Sequence, residues 1–366
     1  NNFLKNKERN KKEMAYRLST LWKENAHIGS AWAVAYEEQS QKIVTGDANG
    51  NLKVWGKNEE EEDLEEQLMV KGHHILGISK IILRKDNDDL LILSSGMDGT
   101  LKKCIYNIKT NKIKNTESVT LALGKSVDVA ATDEHIAVSG ENGIIWIYDY
   151  NLKQQRQLYT DPQDESKNQK KKVPTILTSA YHESQELFAC GYHTGEVAVF
   201  ETKHYSRVAL YKGYTGSAVR DLCFMDEYIF AVYDDGYLRI FTKEHPLVAT
   251  MHTETGMTAV DVLCVHYESE NAAERTFFIA TGHLDGSVKI FEFSSKGDIE
   301  ALHSFIEHKK RVWALEFEQH TCKQPLDATI VKKSDDRLLQ SNYVHLFSVA
   351  SDGNLRSYLC PLDQSK

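Results

Sequence analysis

An all-β chain closed into a ring of seven small sheets is what this sequence predicts, and three observations predict it. A strand–turn–strand segment returns seven times, nearly every copy turns on Asp-Gly or Asn-Gly, and the two ends of the chain complement each other. Apolar alternation on either side of a Gly-containing turn is the signature of a β-hairpin. The copies are IVTGDANGNLKVW (43–55), LILSSGMDGTLKKCIY (91–106), IAVSGENGIIWIY (136–148), LFACGYHTGEVAVF (187–200), IFAVYDDGYLRIF (229–241), FIATGHLDGSVKIF (278–291) and LFSVASDGNLRSY (346–358). Their turn glycines are Gly50, Gly99, Gly143, Gly195, Gly236, Gly286 and Gly353. A recurrence every roughly 40 to 50 residues, with a longer last step, is the period of β-propeller blades.

Within each unit the elements follow in order. Upstream of most hairpins sits an apolar strand, such as AWAVAY (31–36), AVRDLCF (218–224) or RVWALEF (311–317), and downstream a weaker one precedes the next unit. Asp-Gly and Asn-Gly supply the positive φ of a type I′ turn, and six of the seven turns have them; the other is Thr194-Gly195. The last step is long because TCKQPLDATIVKKSDDRLLQSN (321–342) reads as an inserted loop. After RSYLCP (356–361) only LDQSK follows, so the seventh unit has three strands, and the strand-like YRLSTLWKEN (16–25) is left to complete it. Pairing the two would leave no sheet edge open at the seam. The expected organisation is a basic arm over residues 1–15, a propeller over 16–361 and a tail over 362–366.

Composition narrows the function. At 41% hydrophobic the 366 residues can bury a large core, and 44 Lys and Arg against 53 Asp and Glu give a net charge of −9. That balance argues against nucleic-acid binding by bulk electrostatics. The six cysteines, Cys104, Cys190, Cys223, Cys264, Cys322 and Cys360, have no metal-ligand spacing and read as reduced thiols of a cytoplasmic or nuclear protein. NNFLKNKERNKKEM has no apolar core like that of a secretory signal, and no apolar run is long enough to span a bilayer. No membrane role is expected.

The repeats resemble the WD-repeat family, from about residue 16 to residue 361. Its pattern places a His before the first strand, an Asp in the hairpin turn and an aromatic closing the third strand, and here the last is Trp55, Tyr148, Phe200, Phe241, Phe291 and Tyr358. The resemblance implies structural pairs of His73 or His74 with Asp98, His252 with Asp285 and His308 with Asp352. His27 faces only Asn49, blades three to five lack the His, and blade four has Thr194 in place of the Asp, so those three blades should be softer. NAHIGSAWAVAY (25–36), DDGYLRIF (234–241) and HKKRVWALEFE with a terminal LCP look like the WD-repeat subunits of the superkiller (Ski) RNA-decay complex, shared with the Paf transcription complex. That likeness implies a tetratricopeptide-repeat protein and a helicase as partners, with Paf-complex subunits as further ones, and a monomer within a hetero-complex of cytoplasm and nucleus. The insert at 321–342 and the acidic run at 57–66 depart from those subunits.

In a propeller the turn after the second strand and the loop before the first share one rim around the channel. Candidate partner-binding residues there are Trp32, Met97, His193, Arg220, Asp234, Leu284 and Trp313. Trp32 and Trp313 occupy equivalent positions in blades one and seven, neighbours across the closure, where other blades have Ser79 or Leu177. Two such rings would form an anchor pocket, or pack between the blades. Arg220, in the same register, suits peptides with Gln, Arg or carboxylate groups, or pairs with Asp221 or Asp235. The acidic run Glu59 to Glu66, KNKERNKK (5–12) and QKKK (169–172) read as solvated segments.

No catalytic residue, cofactor or metal site is expected. The chain has no G-x-S-x-G, P-loop, G-x-G-x-x-G or H-E-x-x-H. His73-His74 and His283 with Asp285 have metal-binding chemistry, but the repeat already accounts for their positions. The expected role is a scaffold; other WD-repeat adaptors, such as a ubiquitin-ligase receptor or a ciliary transport subunit, are the alternative.

Overall fold

A computed structural model describes residues 21–361, apart from 24, 59–62, 122–125, 160–173, 183, 205, 213–215, 269–273, 295, 319–320 and 326–342. The described chain is all β, with no helix, in seven antiparallel sheets arranged as a β-propeller. In blades one to six the chain runs from the innermost strand outward, and the inner strands are Ala31–Glu37, Ile78–Asp86, Ser126–Ala131, Ile176–His182, Val219–Met225 and Met257–Glu268. Blade seven consists of Val312–Phe317, Tyr343–Ala350, Leu355–Pro361 and, as its outermost strand, Leu21–Lys23 from the other end of the chain. Leu21, Trp22 and Lys23 pair antiparallel with Ser357, Arg356 and Leu355, so the ring closes as the sequence predicts.

Seven apolar clusters hold the ring, one between each pair of neighbouring blades. Val44, Val54 and Ile81 meet between blades one and two, and Trp55, Val349 and Leu355 between seven and one. Second strands such as Ile136–Gly140, Leu187–Tyr192 and Tyr228–Tyr233 are buried along their whole length because a blade packs on each face. That is why these strands read as continuous apolar runs and not as alternating ones.

Inner strands have a free edge toward the channel, and buried or half-buried aspartates cap it. Asp128 accepts the N–H of Ser179, Asp221 that of Val260, and Asp261 that of Phe317, each reaching into the next blade. These links satisfy backbone donors that the sheet leaves unpaired. Burial, opposed by Lys80 and reinforced by Asp221, raises the Asp128 carboxyl to about 6.

Three sequence expectations are corrected. The turns are not type I′: each closes with a bond from the Gly N–H to the carbonyl three residues back, and only the glycine has positive φ, between 68° and 96°. That is a type I turn followed by a left-handed Gly. The glycine is also required by space, since a Cβ at Gly353 would lie 2.5 Å from the His27 carbonyl oxygen. The insert begins as a strand, Thr321–Pro325, parallel to 264–268, because the inner strand of blade six runs on and offers an edge. The acidic run is only partly loop: Asp63–Val70 is the outer strand of blade one, with Leu64 buried and Glu66 paired to Lys53 at 2.6 Å. The segments 1–15, 169–172 and 362–366 lie outside the described residues.

Candidate functional site: an aromatic and cationic rim

All seven inner strands carry a β-bulge at one place. The residue passed over by the register is Trp32, Ser79, Val127, Leu177, Arg220, Thr258 or Trp313. A bulge re-aims the side chain at its kink. The expected turn residues stand beside it: Met97 donates its N–H to Gly77, His193 to Thr175, Asp234 to Ala218 and Leu284 to Gly256. Both sets therefore share one rim.

Trp32 and Trp313 meet across the seam of blades seven and one, with ring centroids 5.4 Å apart at 45°. They are half-buried and belong to the rim, not to an interblade core cluster. Their indole N–H groups are tied down: Trp32 donates to Ser30 at 3.0 Å, Trp313 to Ser351 at 2.7 Å, and Ser30 donates to Ser351 at 3.1 Å. The chain of hydroxyls fixes both rings, which reduces the entropy lost on binding. Gly77 makes room for the Trp32 ring, because a Cβ there would sit 2.2 Å from Trp32 Cζ3.

Charge surrounds the aromatic pair. Arg220 pairs with Asp234 through two bonds of 2.5 and 2.6 Å, not with Asp221 or Asp235, since Asp221 turns to the channel and Asp235 takes Arg239. Sequence reasoning missed Arg311, whose guanidinium stacks 3.8 Å over Trp313. At the equivalent register five other blades have small residues, Ser30, Gly77, Thr175, Ala218 and Gly256, and blade three has Lys125. Met97 is half-buried on this rim, while His193 and Leu284 are exposed. His193 Nδ1 accepts the Thr175 N–H at 3.0 Å.

The structural His network differs from the expected pairs in blades one and six, and in blade two it selects one of the two alternatives. In blade two it is His74, not His73, that reaches Asp98 at 3.1 Å; His73 Nε2 is 2.9 Å from Ser94. In blade one His27 has a carboxylate after all, Asp47 at 3.1 Å, and bonds Thr45 at 2.7 Å, which also accepts the Trp55 N–H at 2.8 Å. In blade six His252 does not meet Asp285. It lies exposed against Tyr237, and its place is taken by His283, bonded to Thr255 and Thr281, while Asp285 binds Ser287. In blade seven His308 sits 3.1 Å from Asp352 and 2.8 Å from Ser348. Burial holds His73 down at about 3 and His283 at about 4, so both are neutral in the fold. Among the described residues, no group of three or more His, Cys, Asp or Glu is arranged to hold a metal ion.

A ring of seven blades with a His network behind each of four turns and an aromatic pair on the turn-bearing rim defines a seven-bladed β-propeller, an architecture consistent with a WD-repeat family. Comparison with known proteins agrees on that fold and goes no further. No family profile and no curated protein matches the chain. Among solved structures 1644 chains match, so the likeness identifies an architecture and not a partner. One is a chain in the crystal structure of a mitotic checkpoint complex, with TM-score 0.62, 13% identity, and coverage of 90% of this chain and 89% of that one.

Proposed function

We propose that this chain is a non-catalytic scaffold that holds short segments of larger partner proteins on the turn-bearing rim. The observation that carries the reading is the Trp32–Trp313 pair, two large rings fixed side by side and left half-exposed where the ring closes. Large aromatics in a rigid setting are the residues on which binding energy concentrates. The structural neighbour lies in a multi-protein assembly, which fits the same use of the fold. On the sequence resemblance, the partners are the tetratricopeptide-repeat and helicase subunits of a superkiller-like complex in cytoplasmic RNA decay, with a second, nuclear role beside Paf-complex subunits.

Affinity purification of the tagged chain from its own cells, with the co-purifying proteins identified by mass spectrometry, tests this. A helicase and a tetratricopeptide-repeat protein are expected, with elongation factors marking the nuclear role. Recovery of cullin adaptors or transport subunits would keep the scaffold and discard the assembly. Stoichiometric metal with hydrolytic activity in the purified protein would overturn the scaffold itself.

A further inference from the structure

Arg311 is the group that the rim does not account for. Its Nε is buried with no hydrogen-bond partner among the described residues, and its guanidinium lies on Trp313. The charges acting on it are Arg220, which repels it, and Asp234, which is held by Arg220 through two bonds. Other rim carboxylates are also engaged: Asp352 with His308 and the Lys309 N–H, Glu307 with Arg356, and Asp47 with His27. On the blade-six loops Glu254 and Asp285 are exposed, and Asp285 accepts from Ser287. Arg311 is preceded by exposed Lys309 and Lys310. A molecule of net charge −9 thus places three successive cations, Lys309, Lys310 and Arg311, at its aromatic pair.

Apolar surface continues from that point around one arc of the rim. Ile306, Ile28 and Ile75, on the loops into blades seven, one and two, are 81%, 101% and 84% exposed, and Leu284 in the blade-six turn is 46% exposed. These are the most exposed large apolar residues described, apart from Leu76 beside Ile75, and they fall on consecutive blades. Exposed apolar side chains recurring on one arc of a rim fit an interaction surface.

We infer that the rim takes an acidic peptide segment of a partner protein, one whose carboxylate pairs with Arg311 while an adjacent aromatic or aliphatic side chain seats on Trp32 and Trp313. This rests on the scaffold reading and adds the chemistry of its partner. An unpaired guanidinium presents two donors in the plane that a carboxylate matches. A segment with Lys or Arg at that point would meet the like charges of Arg311, Lys309 and Lys310. Complementary charge also sets which partners are rejected.

The test is a selection of random dodecapeptides on the immobilised full chain, followed by fluorescence anisotropy with a selected peptide and with copies in which its acidic residues become Gln or Lys. A labelled U12 oligoribonucleotide serves as the phosphate probe. The selected peptides should join Asp or Glu to an aromatic, and the Gln copy should bind about tenfold or more weaker. R311Q should erase that difference and R311K should retain part of it, both with unchanged Tm. Basic or charge-indifferent peptides that still need Trp32 would overturn the acidic assignment and leave the scaffold. Binding of U12 in an Arg311-dependent way, with no peptide selected, would overturn it in favour of RNA. Peptides that bind W32A and W313A as well as the wild type would remove the rim itself.

Discussion

Trp32 owes its position to a residue with no side chain. Gly77 leaves the space that its ring fills, so Gly77→Ala should displace the ring while leaving both tryptophans present. The expected result is a changed Trp emission and weaker partner capture at nearly unchanged Tm. Loss of Trp32 itself should cost a partner complex about 2 kcal/mol or more in affinity. Thr45→Ala has the opposite profile: it strands His27 and the Trp55 N–H inside the fold, so it should cost about 1–3 kcal/mol of stability by denaturant titration with the rim intact. The rim tryptophans were legible because repeat alignment puts both at one register. Arg311 was not, because an Arg two residues upstream of that register reads as solvated, and only the stacking on Trp313 shows otherwise.

Among elements, the hairpins were legible because each needs a left-handed Gly, and a need of that kind marks the sequence. The His pairings were less so. Asp47 stands three residues before its Gly where Asp98 and Asp352 stand one before theirs, and in blade six the His moved from the loop to the turn. Adjacent His73 and His74 are indistinguishable until the loop fixes which one faces Asp98. These buried rings predict a pH dependence. His73 and His283 stay neutral in the fold to about 3 and 4, whereas the unfolded chain protonates near 6.5, so stability should be full above that pH and fall toward pH 4. Asp128 works against this: its folded carboxyl takes a proton at about 6 and the unfolded one only near 3.8, so it adds stability over the same interval. Asp128→Asn should therefore steepen the loss of Tm between pH 6 and pH 4. A parallel shift of the two curves would contradict the assignment.

At the scale of the whole molecule, closure joins the two described ends of the chain in one blade. Leu21–Lys23 covers the edge of Leu355–Pro361, and the His27 N–H reaches the Gly353 carbonyl at 2.9 Å beside the aromatic pair. Deleting residues 1–25 should lower Tm and loosen the same seam that presents Trp32 and Trp313; an unchanged Tm would refute closure by a shared blade. The fold was readable because its period and turn chemistry repeat seven times. The partner was less readable, since a propeller's occupant depends on a few side chains at one register. The measurement that bears most directly on the account is quantitative affinity capture from the protein's own cells by wild type, W32A and W313A, with Tm recorded for each. Both variants should lose the same set of partners at unchanged Tm. Retained partners, or losses that appear only with a large fall in Tm, would mean that the two rings serve the packing of the seam and that the binding site lies elsewhere.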